Sequence, residues 1–215
     1  MVERSIDIET GNGVLPGDLT VPEGAKALVL FAHGSGSSRK SPRNRHVASV
    51  LNGKGLATFL FDLLTAEEDK IDMVTGNLRF DIDLLGGRLK KATDRISEEP
   101  EAGGMEKGYF GASTGAAAAL RAADGRPEIK AIVSRGGRPD LAGDSLLRVA
   151  SPTLLIVGGN DPAVIEMNRE AASRMTAINE IKVVPGAGHL FEEPGRLDVV
   201  AELASRWFER YLKRG

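Results

Sequence analysis

The chain has 215 residues, 28 of them basic and 30 acidic, and its formal net charge at pH 7 is −2. This length suits a single α/β domain over residues 1–215, and the near-neutral charge argues against nucleic acid as a partner, because phosphate binding usually needs a basic excess. The sequence contains no cysteine, which excludes a disulfide framework, a thiolate metal site and a cysteine nucleophile.

Residues 1–7 lack the apolar segment of a signal peptide, and no apolar run approaches the length of a membrane span. We therefore expect a soluble, cytoplasmic protein without a membrane partner.

Four basic residues, Arg39, Lys40, Arg43 and Arg45, form one local cluster. We interpret this cluster as a solvated loop.

The first third of the chain predicts an edge hairpin followed by buried strands. Residues 2–8 and 14–21 alternate apolar and polar side chains around Gly11-Asn12-Gly13, a pattern typical of a β-hairpin. The apolar run ALVLFA over 27–32 predicts a strand buried on both faces, ending in the loop 33–38. Next we predict a helix over 43–54, a strand over 56–61, and a polar loop before a long helix at about 78–97.

The remaining chain predicts strands over 107–112, 129–134, 153–157 and 181–184, with helices over 114–123, 163–175 and 195–213. This alternation predicts an α/β fold whose mostly parallel central sheet is flanked by helices, with the N-terminal hairpin at one edge. Only about eighteen residues separate the strands ending at 134 and beginning at 153, which leaves no room for a helical lid domain. Glycine-rich loops follow several strands, at the edge where such sheets place ligands.

The stretch Gly111-Ala-Ser113-Thr-Gly115 places a serine at a predicted strand-to-helix joint. A sharp joint pushes the side chain of Ser113 outward, and glycine two residues away on each side avoids collisions with the strand and helix. The helix N-terminus also directs free N–H groups and a positive dipole end at this region. We predict that Ser113 is a nucleophile, the alternative being a glycine-rich turn without chemistry.

A serine nucleophile needs a base and an orienting acid. Of three histidines, only His189 lies downstream of Ser113 in a loop after a strand, and we predict that it is the base. Asp161 follows the strand over 153–157 and is the predicted acid, although Asp before Pro162 also makes a good helix N-cap. Asp140 is the second candidate acid. The order serine, acid, histidine is that of the α/β-hydrolases.

The negative oxygen formed by nucleophilic attack needs at least two hydrogen-bond donors. We predict the N–H of Thr114 and the N–H of Ser35, with Gly34 and Gly36 as alternative donors, permissive spacers or substrate contacts. His33 begins this loop, and we expect it to fix the loop by hydrogen bonding and not to act as a base.

Arg135 and Arg138 follow the strand before the acid loop. Either guanidinium could bind a substrate carboxylate, and Arg135 is our candidate for substrate binding. The alternative, which the sequence favours, is an internal salt bridge to Asp62, Asp140 or a glutamate. The same two interpretations apply to Arg43 and Arg45.

Long stretches of the chain resemble the dienelactone hydrolase-like branch of the α/β-hydrolase superfamily: "LFAHGSGSSRKSPRNRHVA", "GYFGASTG", "SRGGRPDLA", "PTLLIVGGND" and "GHLFEEPG". The resemblance implies an α/β-hydrolase fold with Ser113, Asp161 and His189 as catalytic triad. The dienelactone hydrolases that give the branch its name use a cysteine nucleophile, whereas this chain has Ser113. That departure shifts the expected activity from dienelactone towards carboxylic esters.

We therefore expect a serine hydrolase that cleaves small carboxylic esters through an acyl-enzyme intermediate, with no metal and no organic cofactor. Without a lid the pocket should be open, which favours short-chain or small aromatic esters. Lactones, including dienelactone, thioesters and perhydrolysis are alternative reactions for the same triad. A non-catalytic ligand-binding protein on the same fold is the alternative of a different class.

Overall fold

A computed structural model describes residues 1–212, which are organised around an eight-stranded sheet of order β1-β2-β4-β3-β5-β6-β7-β8. The strands are β1 (Val2–Thr10), β2 (Gly13–Val21), β3 (Ala27–Ala32), β4 (Ala57–Phe61), β5 (Glu106–Ala112), β6 (Ile129–Arg135), β7 (Thr153–Gly158) and β8 (Asn179–Val184). The helices are α1 (Pro42–Gly53), α2 (Ala66–Thr75), α3 (Ile82–Ser97), α4 (Thr114–Ala123), α5 (Ser145–Arg148), α6 (Pro162–Arg174) and α7 (Arg196–Tyr211). Two short 3₁₀ turns cover Leu78–Phe80 and Pro139–Ala142.

Strand direction divides the sheet into an antiparallel edge and a parallel body. β1 pairs with β2, and β2 pairs with β4, in antiparallel register. All pairings from β4 through β3 to β8 are parallel. The carboxyl ends of the parallel strands therefore meet at one edge, and the predicted fold class with its N-terminal edge hairpin is confirmed.

Both faces of the parallel body are covered, so the strands are apolar throughout. In β3, Val29 and Phe31 belong to the core beneath α1 and α7, whereas Leu28 and Leu30 belong to the core on the opposite face, where α3 and α4 pack. Every residue of β3 is buried as a result. This explains why ALVLFA is a continuous apolar run and not an alternating one.

The segment between β6 and β7 contains only the second 3₁₀ turn and the four-residue helix α5. As predicted, no lid domain is inserted there, and the described residues contain none elsewhere. No helix within residues 1–212 is long and apolar enough to cross a membrane.

Helix α2 was not predicted, because its polarity is reversed relative to an ordinary surface helix. Its buried side chains are Glu68 and Asp72, whereas Ile71 and Val74 are exposed. Glu68 accepts hydrogen bonds from Arg88 at 2.6 Å and Asn12 at 2.8 Å, so ion pairing and hydrogen bonding hold the helix in place. The segment 66–75 is therefore helical, not a polar loop.

Other predicted boundaries shift by a few residues. The long helix predicted from 78 begins at Ile82, after the first 3₁₀ turn, because Asp81 caps it by accepting a hydrogen bond from Leu84 N. The last strand begins at Asn179, not at 181. The last helix ends at Tyr211, and residue 213 of the predicted helix lies outside the described residues.

Candidate active site

The joint between β5 and α4 holds Ser113 in an uncommon backbone conformation, with φ 51° and ψ −120°. Non-glycine residues with positive φ are rare, and they persist only where the surroundings fix them. A Cβ on Gly111 would lie 2.5 Å from the carbonyl oxygen of Gly115, and a Cβ on Gly115 would lie 2.2 Å from that of Ala32. Both positions therefore require glycine, because a Cβ would collide with backbone atoms. The half-buried Ser113 side chain is directed outward.

The ring of His189 lies between the side chains of Ser113 and Asp161. Its Nε2 is 3.5 Å from Ser113 Oγ, and its Nδ1–H donates to Asp161 Oδ2 at 2.8 Å. Because Nδ1 carries the proton, Nε2 is free to accept one from the serine. The 3.5 Å separation is long for a hydrogen bond, as is common for catalytic pairs without substrate.

The two interpretations of Asp161 can be compared directly. Asp161 stands at the N-cap position of α6, yet its side chain makes no capping hydrogen bond. The second candidate, Asp140, pairs with Arg138 through contacts of 2.7 to 3.2 Å. The structure thus brings together Ser113, Asp161 and His189, and places Asp140 in an internal ion pair.

The loop that carries His189 is held by close backbone contacts. A Cβ on Gly158 would lie 2.4 Å from the carbonyl oxygen of Gly188, so β7 can approach this loop only with glycine there. Glu193 Oε1 accepts from Gly188 N–H at 2.9 Å, next to the histidine. Glu193 was not predicted as a site residue, and its only signal in the sequence is its place in the stretch GHLFEEPG.

Hydrogen bonds to the Gly34 carbonyl fix the loop after β3. The Gly34 carbonyl accepts from the ring of His33 at 3.0 Å and from Ser37 N–H at 3.2 Å. Because the peptide bond is trans, the N–H of Ser35 points away from those two donors. Gly36 has φ 63°, which completes a turn that favours glycine.

The two predicted oxyanion donors are both available. Thr114 is the first residue of α4, where a backbone N–H has no partner within the helix. Neither its N–H nor that of Ser35 makes a hydrogen bond within residues 1–212. A Cβ on Gly34 would lie 3.1 Å from Ser113 Cβ, so this loop packs directly on the joint between β5 and α4 at residues 111–115, which we call the elbow.

His33 is a structural residue of this loop. Its Nε2 accepts from Leu63 N–H at 3.0 Å, so the ring proton is on Nδ1, which donates to Gly34. Burial lowers the pKa of His33, although the nearby carboxylates of Asp62 and Asp69 oppose the shift. The neutral ring ties the loops after β3 and β4 together, in agreement with the expectation that His33 is not the base.

Arg135 is a buried cation at the end of β6, only 6% exposed. Its Nε and Nη1 have no hydrogen-bond partner, and the described residues include no salt bridge to it. Burial, with a smaller contribution from the charge of Arg43, lowers the pKa of Arg135 to about 10. The internal salt bridge favoured by the sequence thus holds for Arg138, but not for Arg135.

The basic cluster makes surface ion pairs. Arg39 contacts Asp62 and Asp18, and Arg43 contacts Glu192 at 2.9 Å. Lys40 and Arg45 are exposed. The structure thus supports the salt-bridge interpretation for Arg43, whereas no salt bridge to Arg45 occurs within residues 1–212. Arg43 and Arg45 lie on helix α1, so only part of the cluster is a loop.

A small cavity extends from the loop after β3 towards α2, lined by His33, Gly34, Ser35, Gly36, Thr114, Leu63, Leu64, Leu85 and Arg79, among others. Asp72 fixes Arg79 by accepting from its Nε at 2.7 Å and from its backbone N–H at 3.1 Å. Burial alone would raise the pKa of Asp72, but these hydrogen bonds lower it. This pair was not predicted, because Asp72 lies in the segment predicted as a polar loop and Arg79 at the start of the predicted long helix.

No group of three or more His, Cys, Asp or Glu side chains in the described part of the chain has an arrangement that could hold a metal ion.

Comparison with known proteins agrees with this fold. The sequence model of the "Dienelactone hydrolase family" matches residues 17–213. A dienelactone hydrolase from Anabaena variabilis ATCC 29413 is 55% identical, with a TM-score of 0.95 and 99% of each chain covered. The dienelactone hydrolase-like promiscuous phosphotriesterase P91 from metagenomic libraries is 18% identical with a TM-score of 0.81 over 99% of each chain, a likeness of fold alone.

Two curated relatives come from Mycobacterium tuberculosis strains CDC 1551 and H37Rv, and both bear the name "Putative phosphoribosyl transferase". Each is 53% identical over 211 residues, which is 98% of this chain and 47% of the relative. The chain therefore spans about half the length of these relatives. Given the family match over residues 17–213, the chain belongs to the dienelactone hydrolase family.

Proposed function

We propose that this chain is a serine hydrolase that cleaves small carboxylic esters through an acyl-enzyme intermediate. The observation that carries the proposal is the position of His189, with Nε2 3.5 Å from Ser113 Oγ and Nδ1 2.8 Å from Asp161 Oδ2. Membership of a hydrolase family supports the reaction class. Ser113 is the nucleophile, His189 the general base and acid, and Asp161 the orienting carboxylate.

In the first half-reaction Ser113 Oγ attacks the ester carbonyl carbon while its proton passes to His189 Nε2. The carbonyl oxygen becomes an oxyanion, which accepts hydrogen bonds from the N–H groups of Ser35 and Thr114. As the C–O bond to the alcohol breaks, His189 donates its proton to the leaving oxygen. The product is an acyl-serine at position 113.

In the second half-reaction water attacks the acyl carbonyl and gives its proton to His189. The same two N–H groups hold the second oxyanion, and the proton returns to Ser113 Oγ as the carboxylic acid leaves. Asp161 keeps the proton of the neutral ring on Nδ1 and stabilises the imidazolium formed in each step.

The absence of a lid over residues 1–212 and the half-exposed nucleophile favour short-chain or small aromatic esters. Gly34 and Gly36 would border such a substrate. We include Arg135 in the proposed binding surface because its buried guanidinium has unpartnered N–H groups at the end of β6. A panel of acyl chains of increasing length should show the highest kcat/KM for the short members, and preference for long chains would contradict this part of the proposal.

The deciding experiment combines a fluorophosphonate probe with ester turnover. We expect covalent labelling of the wild type and none of Ser113→Ala, whereas the control Ser173→Ala, at an exposed serine on α6, should label normally. His189→Ala should lower kcat by at least ~10³-fold, by analogy with other triad removals. An unlabelled wild type without turnover would favour a ligand-binding protein on this fold.

The same panel separates the rival reactions. Lactone and thioester members test the alternative hydrolase substrates, since the triad would serve all of them. The name of the mycobacterial relatives suggests a further assay, transfer from phosphoribosyl pyrophosphate, although the chain matches only 47% of those proteins. We expect ester turnover and no phosphoribosyl transfer.

A further inference from the structure

A hydroxyl pair joins the two loops that carry the proposed oxyanion donors. Ser35 Oγ and Thr114 Oγ1 lie 3.0 Å apart, although 79 positions separate the residues in sequence. Ser35 belongs to the turn after β3, and Thr114 begins α4 directly after Ser113. The two residues that supply the backbone N–H groups are therefore also linked through their side chains.

Burial decides which hydroxyl donates. Thr114 is only 2% exposed, and Ser35 Oγ is the partner that the structure gives its hydroxyl. A buried O–H that fails to donate loses a hydrogen bond it would make in water, so the proton of Thr114 points to Ser35 Oγ. Ser35 is partly exposed, and its own O–H is then free to point into the site.

The loop that carries Ser35 packs against the nucleophile, and the Ser35 side chain contacts Thr114, the residue that follows Ser113. The neighbouring Gly34 lies against Ser113, with its Cβ position 3.1 Å from Ser113 Cβ. The turn that holds Ser35 is fixed on the other side, where the Gly34 carbonyl accepts from His33 and Ser37. These hydrogen bonds fix the turn, so the Ser35 hydroxyl stays beside the N–H of the same residue, which is the proposed oxyanion donor.

On the basis of the proposed hydrolase function, we propose that the Ser35 hydroxyl donates a third hydrogen bond to the oxyanion and that the Thr114 hydroxyl positions it. Ser35 would thus act through both its N–H and its Oγ–H. A hydrogen bond to a developing negative charge strengthens in the transition state, so this contact should raise kcat more than it lowers KM. No covalent step is added to the reaction.

The test is a double-mutant cycle on ester hydrolysis with Ser35→Ala, Thr114→Val and the double variant. Ser35→Ala keeps the backbone donor but should lower kcat by ~10²-fold, the effect of losing one oxyanion donor, with KM changed less than about threefold. Thr114→Val should lower kcat by about tenfold. Because Thr114 acts through Ser35, the double variant should be no slower than Ser35→Ala.

Two controls separate catalysis from folding. Ser38→Ala removes a hydroxyl from the same loop, one that accepts a hydrogen bond from Lys40 N–H, and should keep wild-type kcat. Thr114→Ser should recover most of the activity lost in Thr114→Val, because it restores the hydroxyl. Urea unfolding of each variant shows whether a loss of activity reflects a loss of fold.

The outcomes distinguish this inference from the proposed function. A wild type without turnover or labelling would contradict the hydrolase proposal itself. If the wild type is active and Ser35→Ala keeps a near-normal kcat, the third hydrogen bond is rejected but the hydrolase function is not. If the fold-loss in kcat of the double variant equals the product of the two single losses, the positioning role of Thr114 is rejected.

Discussion

At the scale of single residues, the site depends on which atoms of His189 are protonated. Asp161 accepts from Nδ1, so the opposite nitrogen faces Ser113 without a proton. A carboxylate can only accept, and it therefore selects this tautomer. An amide at position 161 could donate instead and would favour the opposite tautomer, whose Nε2 cannot take the serine proton.

We therefore predict that Asp161→Asn lowers kcat by ~10⁴-fold while the unfolding free energy changes by less than about 1 kcal/mol. Asparagine is as good an N-cap as aspartate, so the cap interpretation of Asp161 predicts no loss of activity. The measurements are steady-state ester hydrolysis and urea unfolding. Asp140→Asn is the matched control, since Asp140 pairs with Arg138, and its kcat should stay within about threefold of wild type.

The sequence could identify these side chains because each follows a strand of the parallel sheet. It placed Asp161 first and Asp140 second, although both residues follow a strand. The ion pair of Asp140 with Arg138 could not be foreseen, because it depends on how the loop after β6 folds. Glu193 was missed for a similar reason, because a carboxylate that binds a backbone N–H follows no spacing pattern. The catalytic roles of Ser113, Asp161 and His189 stay predictions until activity is measured.

At the scale of elements, the elbow depends on the close approach of β3 to the start of α4. A Cβ on Gly115 would lie 2.2 Å from Ala32 O and 2.5 Å from His33 O. Both atoms are backbone, so neither can move away as a flexible side chain would. The loop that carries Ser35, the proposed oxyanion donor, begins at this contact.

Gly115→Ala should accordingly destabilise the fold by about 1–3 kcal/mol and lower kcat, because the loop 33–38 that carries Ser35 is forced away from Ser113. Gly87→Ala is the matched control. Gly87 is exposed within α3 with open space around it, and alanine there should stabilise the fold by about 0.5–1 kcal/mol. Urea unfolding of both variants measures whether their changes in unfolding free energy have opposite signs. A stability gain in Gly115→Ala would contradict the contact on which the elbow is built.

Helix α2 could not be predicted from the pattern of apolar residues. Periodic apolar residues predict a helix when they face the core, but here Ile71 and Val74 face solvent and Glu68 and Asp72 are buried. The available signal was the capping box, in which Thr65 and Glu68 exchange hydrogen bonds at the N-terminus. Such a box marks the start of a helix, but the pairing of its acidic face with Arg79 and Arg88 depends on tertiary contacts.

At the scale of the whole molecule, the alternation of strands and helices was sufficient for the fold class but not for the strand order. The placement of β4 between β2 and β3 depends on pairings such as Leu19 with Phe59, which local pattern does not encode. The single-domain organisation over residues 1–215 also stays a prediction, because the mycobacterial relatives are about twice as long.

One consequence for the whole molecule is a pH-dependent stability that originates in His33. This ring joins the loops after β3 and β4 in its neutral form, and burial lowers its pKa below the ordinary 6.5. In the unfolded chain the ring takes up a proton as the pH falls through 6.5, whereas the folded ring stays neutral to lower pH. The unfolded state then binds more protons, so the free energy of unfolding decreases as the pH falls.

This contribution is fully present above pH 6.5 and is lost as the pH falls from there to the folded-state pKa, at up to about 1.4 kcal/mol per pH unit. His33→Asn should be less stable than wild type at pH 7.5, because Leu63 N–H loses its acceptor. Its stability should nevertheless fall less between pH 7.5 and 5.5. Urea unfolding of both proteins at the two pH values gives this double difference, in which the other titrating groups cancel. Parallel losses in the two proteins would mean that the folded ring takes up its proton as readily as the unfolded one.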